Sequence, residues 1–306
     1  MNNKIVVFGG SGFLGSHLSD VLTDSGYNVT IFDKIESPYL QKKQNMFVGD
    51  ILDYECILDA VQESMAVYHF ASVAGIKEAN QKPLEAVKCN VLGTTNILEA
   101  CVKADVSRFI YASTVYVYSE HGGFYRSTKQ SSELLIENYQ KIYGLNFTIL
   151  RFGSLYGKRA NEFNWIHNII RQALAEGKMQ REGDGEEIRD YIHVRDAAQA
   201  CVDILDEQYK NDYIMLTGSQ TIKIKDLLLM IREMLDNKIA IEYLDKRMEG
   251  HYEITPYTFR PRVAKKYMPN TQIDLGQGIL DVIYDIYKNL DLDSDERKNM
   301  TISLPD

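Results

Sequence analysis

Nine residues near the N-terminus constrain this chain more than any other stretch. They are Gly9-Gly10-Ser11-Gly12-Phe13-Leu14-Gly15-Ser16-His17, directly after the apolar run Ile5-Val6-Val7-Phe8. Glycines at 9, 12 and 15 give a G-x-x-G-x-x-G spacing between a β-rich segment and a helical one. Gly9 permits a tight turn, Gly12 lets the backbone approach a pyrophosphate, and Gly15 lets the helix pack closely on the sheet. The helix N-terminus, with Phe13 and Leu14 in its first turn, supplies unpaired N–H donors to the anion. Three glycines alone make only a turn; the strand before and the helix after make this a dinucleotide-binding signal.

The first half of the chain repeats that strand-then-helix rhythm. Strand candidates are Lys4–Phe8, Asn28–Phe32, Asn45–Val48, Ala66–Phe70, Ser107–Ala112 and Asn146–Phe152, rich in Val, Ile, Phe and Tyr and mostly without polar alternation. Near-continuous apolar strands read as a parallel sheet covered on both faces. Helical stretches fall near 13–26, 53–64, 84–103 and 126–143. In the third, Leu84, Val87, Val91, Leu98 and Val102 recur at helical spacing. The expectation is an α/β fold, a doubly wound parallel sheet of the Rossmann type with a smaller C-terminal substrate-binding lobe. Residues 1–155, with return segments near 190–217, are expected to form the dinucleotide-binding domain, and 156–189 and 218–306 the lobe. In the second half, a strand at Asp190–Val194, a helix at 196–207, a strand at Asp212–Leu216 and helices near 223–236 and 278–289 are expected. The charged tail Asp291–Asp306 is expected to fray.

Composition narrows the partners. Of 306 residues, 34 are Lys or Arg and 43 are Asp or Glu, a formal charge of −9, which argues against nucleic acid because that requires a basic face. No apolar run is long enough to span a membrane, and the strand at Lys4 leaves no room for a signal peptide. Cys56, Cys89, Cys101 and Cys201 are scattered, and the six histidines show no metal spacing. No metal site is expected, and the reading is of a cytoplasmic protein.

Two carboxylates end strands at the cofactor rim. Asp33, eighteen positions beyond Gly15, is placed to accept hydrogen bonds from the adenosine ribose and to repel a 2′-phosphate, favouring NAD over NADP; Lys34 beside it softens that exclusion. Asp50 either contacts adenine or caps the next helix.

Taken in order, further motifs accompany the glycine turn and Asp33: Gly49-Asp50-Ile51, His69-Phe70-Ala71-Ser72, Asn90-Val91-Leu92-Gly93-Thr94, Ser113-Thr114, Tyr125-Arg126-Ser127-Thr128-Lys129, Leu150-Arg151-Phe152 with Tyr156-Gly157, and Gly183-Asp184-Gly185 with Arg189-Asp190-Tyr191-Ile192. Over nearly the whole chain the sequence resembles the extended short-chain dehydrogenase/reductases, specifically the NAD-dependent epimerase/dehydratase family that modifies nucleotide sugars. The resemblance implies NAD contacts at Asp50, Ile51, Ala71, Asn90, Tyr125 and Lys129 besides the turn. It also implies a catalytic set of Thr114, Tyr125 and Lys129, and substrate contacts at Thr114, Ser154, Arg189 and Arg260.

Tyr125 and Lys129 are i and i+4 on one helix face. A phenol with a solution pKa near 10 is a poor base at neutral pH; a neighbouring ammonium favours the phenolate, which then takes a proton from a sugar hydroxyl. In the resemblance, Lys129 also holds the nicotinamide ribose, Thr114 bonds the reacting oxygen, and Asn90 fixes helix and water geometry. Arg189 suits a diphosphate, with a surface ion pair to Asp190 or Glu187 as its alternative.

The chain departs from the family in three places. Only eleven positions separate Thr114 from Tyr125, so the loop at 119–124, which in the family helps wall the sugar pocket, is abbreviated. Val115 and Tyr116 stand where sugar 4,6-dehydratases carry an Asp-Glu pair, which disfavours dehydration. Ser154 replaces an asparagine usual before the Tyr-Gly motif. The expected activity is NAD-dependent oxidoreduction at a hydroxyl, C4, of a nucleotide-diphosphate sugar, as a 4-epimerase. A net dehydrogenase or ketoreductase with the same Thr/Tyr/Lys site, and a non-catalytic NAD sensor, are the alternatives. A homodimer is expected, pairing helices 84–103 and 126–143 in a four-helix bundle.

Overall fold

The computed structural model describes residues 3–219, 221–245, 251, 265–267 and 272–289. Its first half follows the apolar rhythm. Strands β1 (Lys4–Phe8), β2 (Asn28–Asp33), β3 (Asn45–Val48), β4 (Ala66–His69), β5 (Arg108–Thr114) and β6 (Phe147–Phe152) alternate with helices α1 (Phe13–Asp24), α2 (Tyr54–Val61), α3 (Ile76–Gln81), α4 (Pro83–Val87), α5 (Gly93–Lys103) and α6 (Gly123–Tyr143). The second half adds β7 (Ser154–Tyr156), α7 (Trp165–Glu176), β8 (Lys178–Glu182), β9 (Ile188–His193), α8 (Val194–Asp203), β10 (Asp212–Leu216), β11 (Thr221–Lys223), α9 (Ile224–Met234), β12 (Ala240–Leu244), β13 (Lys265–Lys266) and α10 (Leu275–Asn289).

The main sheet is wholly parallel, in the order β13-β10-β6-β5-β4-β1-β2-β3. Chain order reverses between β1 and β4, and the crevice beyond their carboxyl ends is where doubly wound sheets bind ligands. Core packing explains the unbroken apolar strands. Ile5 and Val7 sit in one cluster with α1 and α8, while Val6 and Phe8 sit in another with α2, α5 and α6. Both faces of β1 are therefore covered. A third core gathers α7, α9 and α10 around Tyr156, Met179 and Tyr191, beside the small sheets β11-β9-β7 and β12-β8.

The expected helix over 84–103 is interrupted. Pro83 starts α4, and residues Lys88–Leu92 form a single π-helical turn before α5 begins at Gly93. The apolar stripe read there is only partly core: Leu98 is fully buried, but Leu84 and Val87 are exposed, at 64% and 43%. Their spacing marks a helix face without saying what covers it. The short helix α3 carries too few apolar positions to have been read.

Candidate active site

The glycine turn closes β1 onto α1 as its composition requires. Gly9 has φ +80°, and a Cβ there would lie 2.6 Å from the Ala71 nitrogen, so β1 and the chain after β4 approach more closely than any side chain allows. A Cβ on Gly15 would overlap the Gly9 carbonyl oxygen. Gly12 caps α1 without a side-chain hydrogen bond, and the first turn has no acidic residue. The open N–H groups of that turn therefore suit an anion. Gly9, Gly12, Phe13, Leu14 and Gly15 line a cleft of about 510 Å³ that continues to Ala112, Thr114, Tyr125 and Lys129. This backbone cradle running from a helix N-terminus to a buried lysine fits a dinucleotide.

At the other end of the turn, Asp33 accepts hydrogen bonds from the Ser11 N–H at 3.0 Å and the Lys34 N–H at 2.7 Å, one on each carboxylate oxygen. Both oxygens keep a second lone pair for ribose hydroxyls. The Lys34 ammonium reaches Asp50 instead, at 3.1 Å. Of the two readings of Asp50, the helix cap is taken by Asp53, whose side chain accepts from Cys56 N–H, while Asp50 accepts from the Leu52 N–H at 2.9 Å. Ile51 is buried, holds Asn96 through its carbonyl and packs where a Cβ on Gly93 would stand. With Lys34 engaged, replacing Asp33 by alanine should weaken NAD binding about tenfold, the scale of a lost charge-assisted hydrogen bond. Calorimetric titration with NAD and NADP checks it, and unchanged NAD affinity would contradict the assignment.

Lys129 is buried to 2% exposure. Its Nζ donates to the Ala112 carbonyl at 2.7 Å and sits 4.8 Å from the Tyr111 ring centre and 5.9 Å from that of Tyr125. Burial pulls its pKa down to about 8, against the opposing influence of Cys89 and Glu133. Glu133, one helical turn further on, is shared by Arg151 at 2.6 Å and by the Ser113 hydroxyl at 2.5 Å. That buried pair ties α6 to the ends of β5 and β6.

Asn90 lies in the π-helical turn, a device that often re-aims a functional side chain. Its amide clamps Val73 through N–H and carbonyl at 2.7 and 3.1 Å and donates to Thr128 Oγ1 at 3.0 Å. Its own carbonyl accepts from Thr94 and Ser132 hydroxyls. The side chain is therefore engaged in fixing the chain after β4 against α6 at Thr128, one turn beyond Tyr125 and next to Lys129. His69 beneath it shares a hydrogen bond with Thr94 and is pushed down to about pKa 3 by burial, with Lys129 adding to the effect; it stays neutral.

The abbreviated connection from Thr114 to Tyr125 is a 3-10 turn at Val115–Tyr118 followed by Gly122 and Gly123, at φ +98° and +51°. Two consecutive left-handed residues reverse the chain directly into α6, a path that side chains strain. Asn80 of α3 receives the Phe124 N–H there.

A second cleft of about 450 Å³ holds Thr114, Tyr125, Ser154 and Arg189 together with Asn164, Trp165, Arg181 and His251. Arg189 is 6% exposed, and Glu187 makes an ion pair with Arg181 at 2.7 Å. Arg260 lies outside the described residues. Arg181, Asn164 and His251 were not singled out in the sequence, and Tyr116 was noted only as a departure from the dehydratase pattern. Asn164 was findable: it caps α7 ahead of Ile166, Ile169, Ile170, Ala173 and Leu174 at helical spacing. Arg181 and His251 carry no local signal. Among the described residues no cluster of metal-ligating side chains occurs, and no helix is long and apolar enough to cross a membrane.

Comparison with known proteins agrees with this geometry. The sequence model of the NAD dependent epimerase/dehydratase family matches residues 5–215. A UDP-N-acetyl-alpha-D-glucosaminuronate decarboxylase from Bacillus cytotoxicus is 28% identical, over 90% of this chain and 96% of that protein. A putative UDP-glucose 4-epimerase from Methanocaldococcus jannaschii is 29% identical, over 91% and 97%. The crystal structure of UDP-glucuronic acid 4-epimerase from Bacillus cereus, in complex with UDP-glucuronic acid and NAD, superposes with a TM-score of 0.81 at 25% identity, over 93% of this chain and 99% of that one.

Proposed function

The chain belongs to the NAD dependent epimerase/dehydratase family, and from that premise we propose that it is a 4-epimerase of a nucleotide-diphosphate sugar. The observation that carries this reading is that Thr114 and Tyr125 line both clefts, so the reactive side chains stand where a cofactor and a sugar meet. Bound NAD would supply the acceptor for the two electrons and carbon-bound hydrogen of C4 and the donor that returns them to the other face. Tyr125 removes the hydroxyl proton, and Lys129 stabilises the phenolate and lends its ammonium to the nicotinamide ribose. Thr114 holds the reacting oxygen. Gly9, Gly12, Phe13, Leu14, Gly15, Asp33, Asp50, Ile51, Ala71 and Asn90 shape the cofactor side, and Ser154 and Arg189 meet the substrate, Arg189 at the diphosphate. Arg260 is proposed for the same anion on sequence grounds alone. No acidic pair follows Thr114, which supports a reaction without loss of water.

Purified protein incubated with UDP-, GDP-, dTDP- and CDP-sugars, uronates included, and followed by NMR tests the proposal. A C4-inverted sugar supports it. Accumulating ketone indicates a net dehydrogenase, and carbon dioxide from a uronate, whose 4-ketone is a β-keto acid, indicates a decarboxylase. Because Lys129 must be charged to act and its pKa lies near 8, kcat/KM should fall as pH rises above about 8; a profile flat to pH 10 would contradict its role.

The division into a cofactor domain at 1–155 with 190–217 and a substrate lobe at 156–189 and 218–306 belongs to the same proposal, supported by the separate third core. So does a homodimer. Leu84, Val87 and Leu92 with Leu134 and Ile142 are exposed apolar residues on the α4–α5 segment and α6, suited to a four-helix bundle. Sedimentation at micromolar concentration should give a dimer, and a monomer would contradict it. The four cysteines are free thiols, as suits the cytoplasm.

A further inference from the structure

We propose that Tyr116 and His251 form a latch across the sugar cleft that retains the oxidised sugar until it is reduced again; the proposal rests on the epimerase reading above. Tyr116 is the second residue after Thr114, and its backbone N–H donates to Thr114 Oγ1 at 3.3 Å. Its ring meets that of Tyr125 edge-on, centres 6.4 Å apart, and its hydroxyl shares a 2.7 Å hydrogen bond with His251 Nδ1. The contact joins the strand end that carries the reaction to a residue beyond β12, and both partners line the cleft that holds Arg189.

The position of this contact gives it a task. Ten residues connect Thr114 to Tyr125, four of them in the 3-10 turn, and Gly122 packs directly on the Tyr116 ring. Among the described residues the connection from Thr114 to Tyr125 is too short to fold over a sugar, and the Tyr116 ring and the His251 imidazole line the cleft beside it. Oxidation at C4 removes the hydroxyl proton to Tyr125 and leaves a carbonyl, so the sugar loses its hydrogen-bond donor at the reacting carbon. It must then turn in the cleft before reduction from the other face, and the space that allows turning also allows escape. A bond between the two sides of the cleft keeps the mouth closed during that interval. Burial, with Arg189 and Arg181 nearby, holds His251 down to about pKa 4, so a neutral imidazole faces the phenol.

The test compares the NAD-loaded wild type with Tyr116→Phe, His251→Ala and the double variant. Ketone escaping into the medium is trapped with O-benzylhydroxylamine and counted per turnover, and the dissociation rate of UDP is read separately by stopped flow. Loss of one neutral hydrogen bond predicts about fivefold more trapped ketone and about fivefold faster UDP release in each single variant, and no further increase in the double variant. Melting curves identify any variant that has failed to fold, and Tyr116→Phe, which removes one oxygen, is the safeguard. If the wild type inverts a sugar while the variants leak no more ketone and release UDP at its rate, the latch is overturned and the epimerase reading stands. If the wild type inverts none, that reading fails, and unchanged UDP release in the variants overturns the latch as well.

Discussion

Tyr125→Phe should lower turnover by about a thousandfold, the midrange for removing a positioned general base, with NAD affinity and thermal stability close to those of the wild type. The phenylalanine ring keeps the edge-on contact with Tyr116 and the place beside Lys129, so only the proton acceptor is lost. Lys129 cannot replace it, since in the charged form in which it acts it is a donor only and has no lone pair to take a proton. Turnover by stopped assay and NAD binding by calorimetry separate the two effects. Unchanged turnover, or unchanged biological activity, would instead support a non-catalytic sensor on the same fold.

The second large effect is expected at Gly15→Ala. The new methyl has no room: it would overlap the Gly9 carbonyl oxygen and press on the Gly10 Cα, both backbone. Either α1 backs away from the sheet or the turn opens, and both displace the N–H groups of Phe13 and Leu14 from the anion. NAD affinity should fall by at least about a hundredfold, since several charge-assisted hydrogen bonds weaken together, and the melting temperature should fall with it. Gly12→Ala is the informative companion. Its Cβ would meet only the Gly9 oxygen, at 3.2 Å, so it should fold normally and weaken NAD binding through the cleft it lines. Equal NAD affinity in Gly15→Ala and wild type would contradict the cradle.

The parts of this molecule that were legible in the sequence are those built from local pattern. Strands such as β1, β4 and β6 read correctly because burial on both faces leaves them continuously apolar, whereas β3, at the sheet edge, has no fully buried residue; the glycine turn read correctly because backbone geometry admits no other residue at Gly9. Tyr125 and Lys129 were visible as a pair at helical spacing, yet the burial of Lys129, which sets its pKa, depends on Ala112 and Tyr111 from another strand. The π-helical turn around Asn90 has no residue signature; it arises where α4 and α5 meet α6. Leu84 and Val87 show the limit of periodicity, because an apolar face on a helix reports that something covers it without saying whether the cover is the chain's own core. His251 meets Tyr116 across 135 positions, a pairing that only the folded arrangement creates.

The central claim, reversible oxidation at C4 within a closed site, is tested most directly by a nucleotide sugar deuterated at C4, drawn from those the NMR panel shows to react. The account predicts that proton and deuterium NMR will show the C4 epimer with deuterium still on C4, because the same hydrogen leaves and returns. Inversion with loss of the label to solvent, or a product altered elsewhere with C4 unchanged, would contradict it.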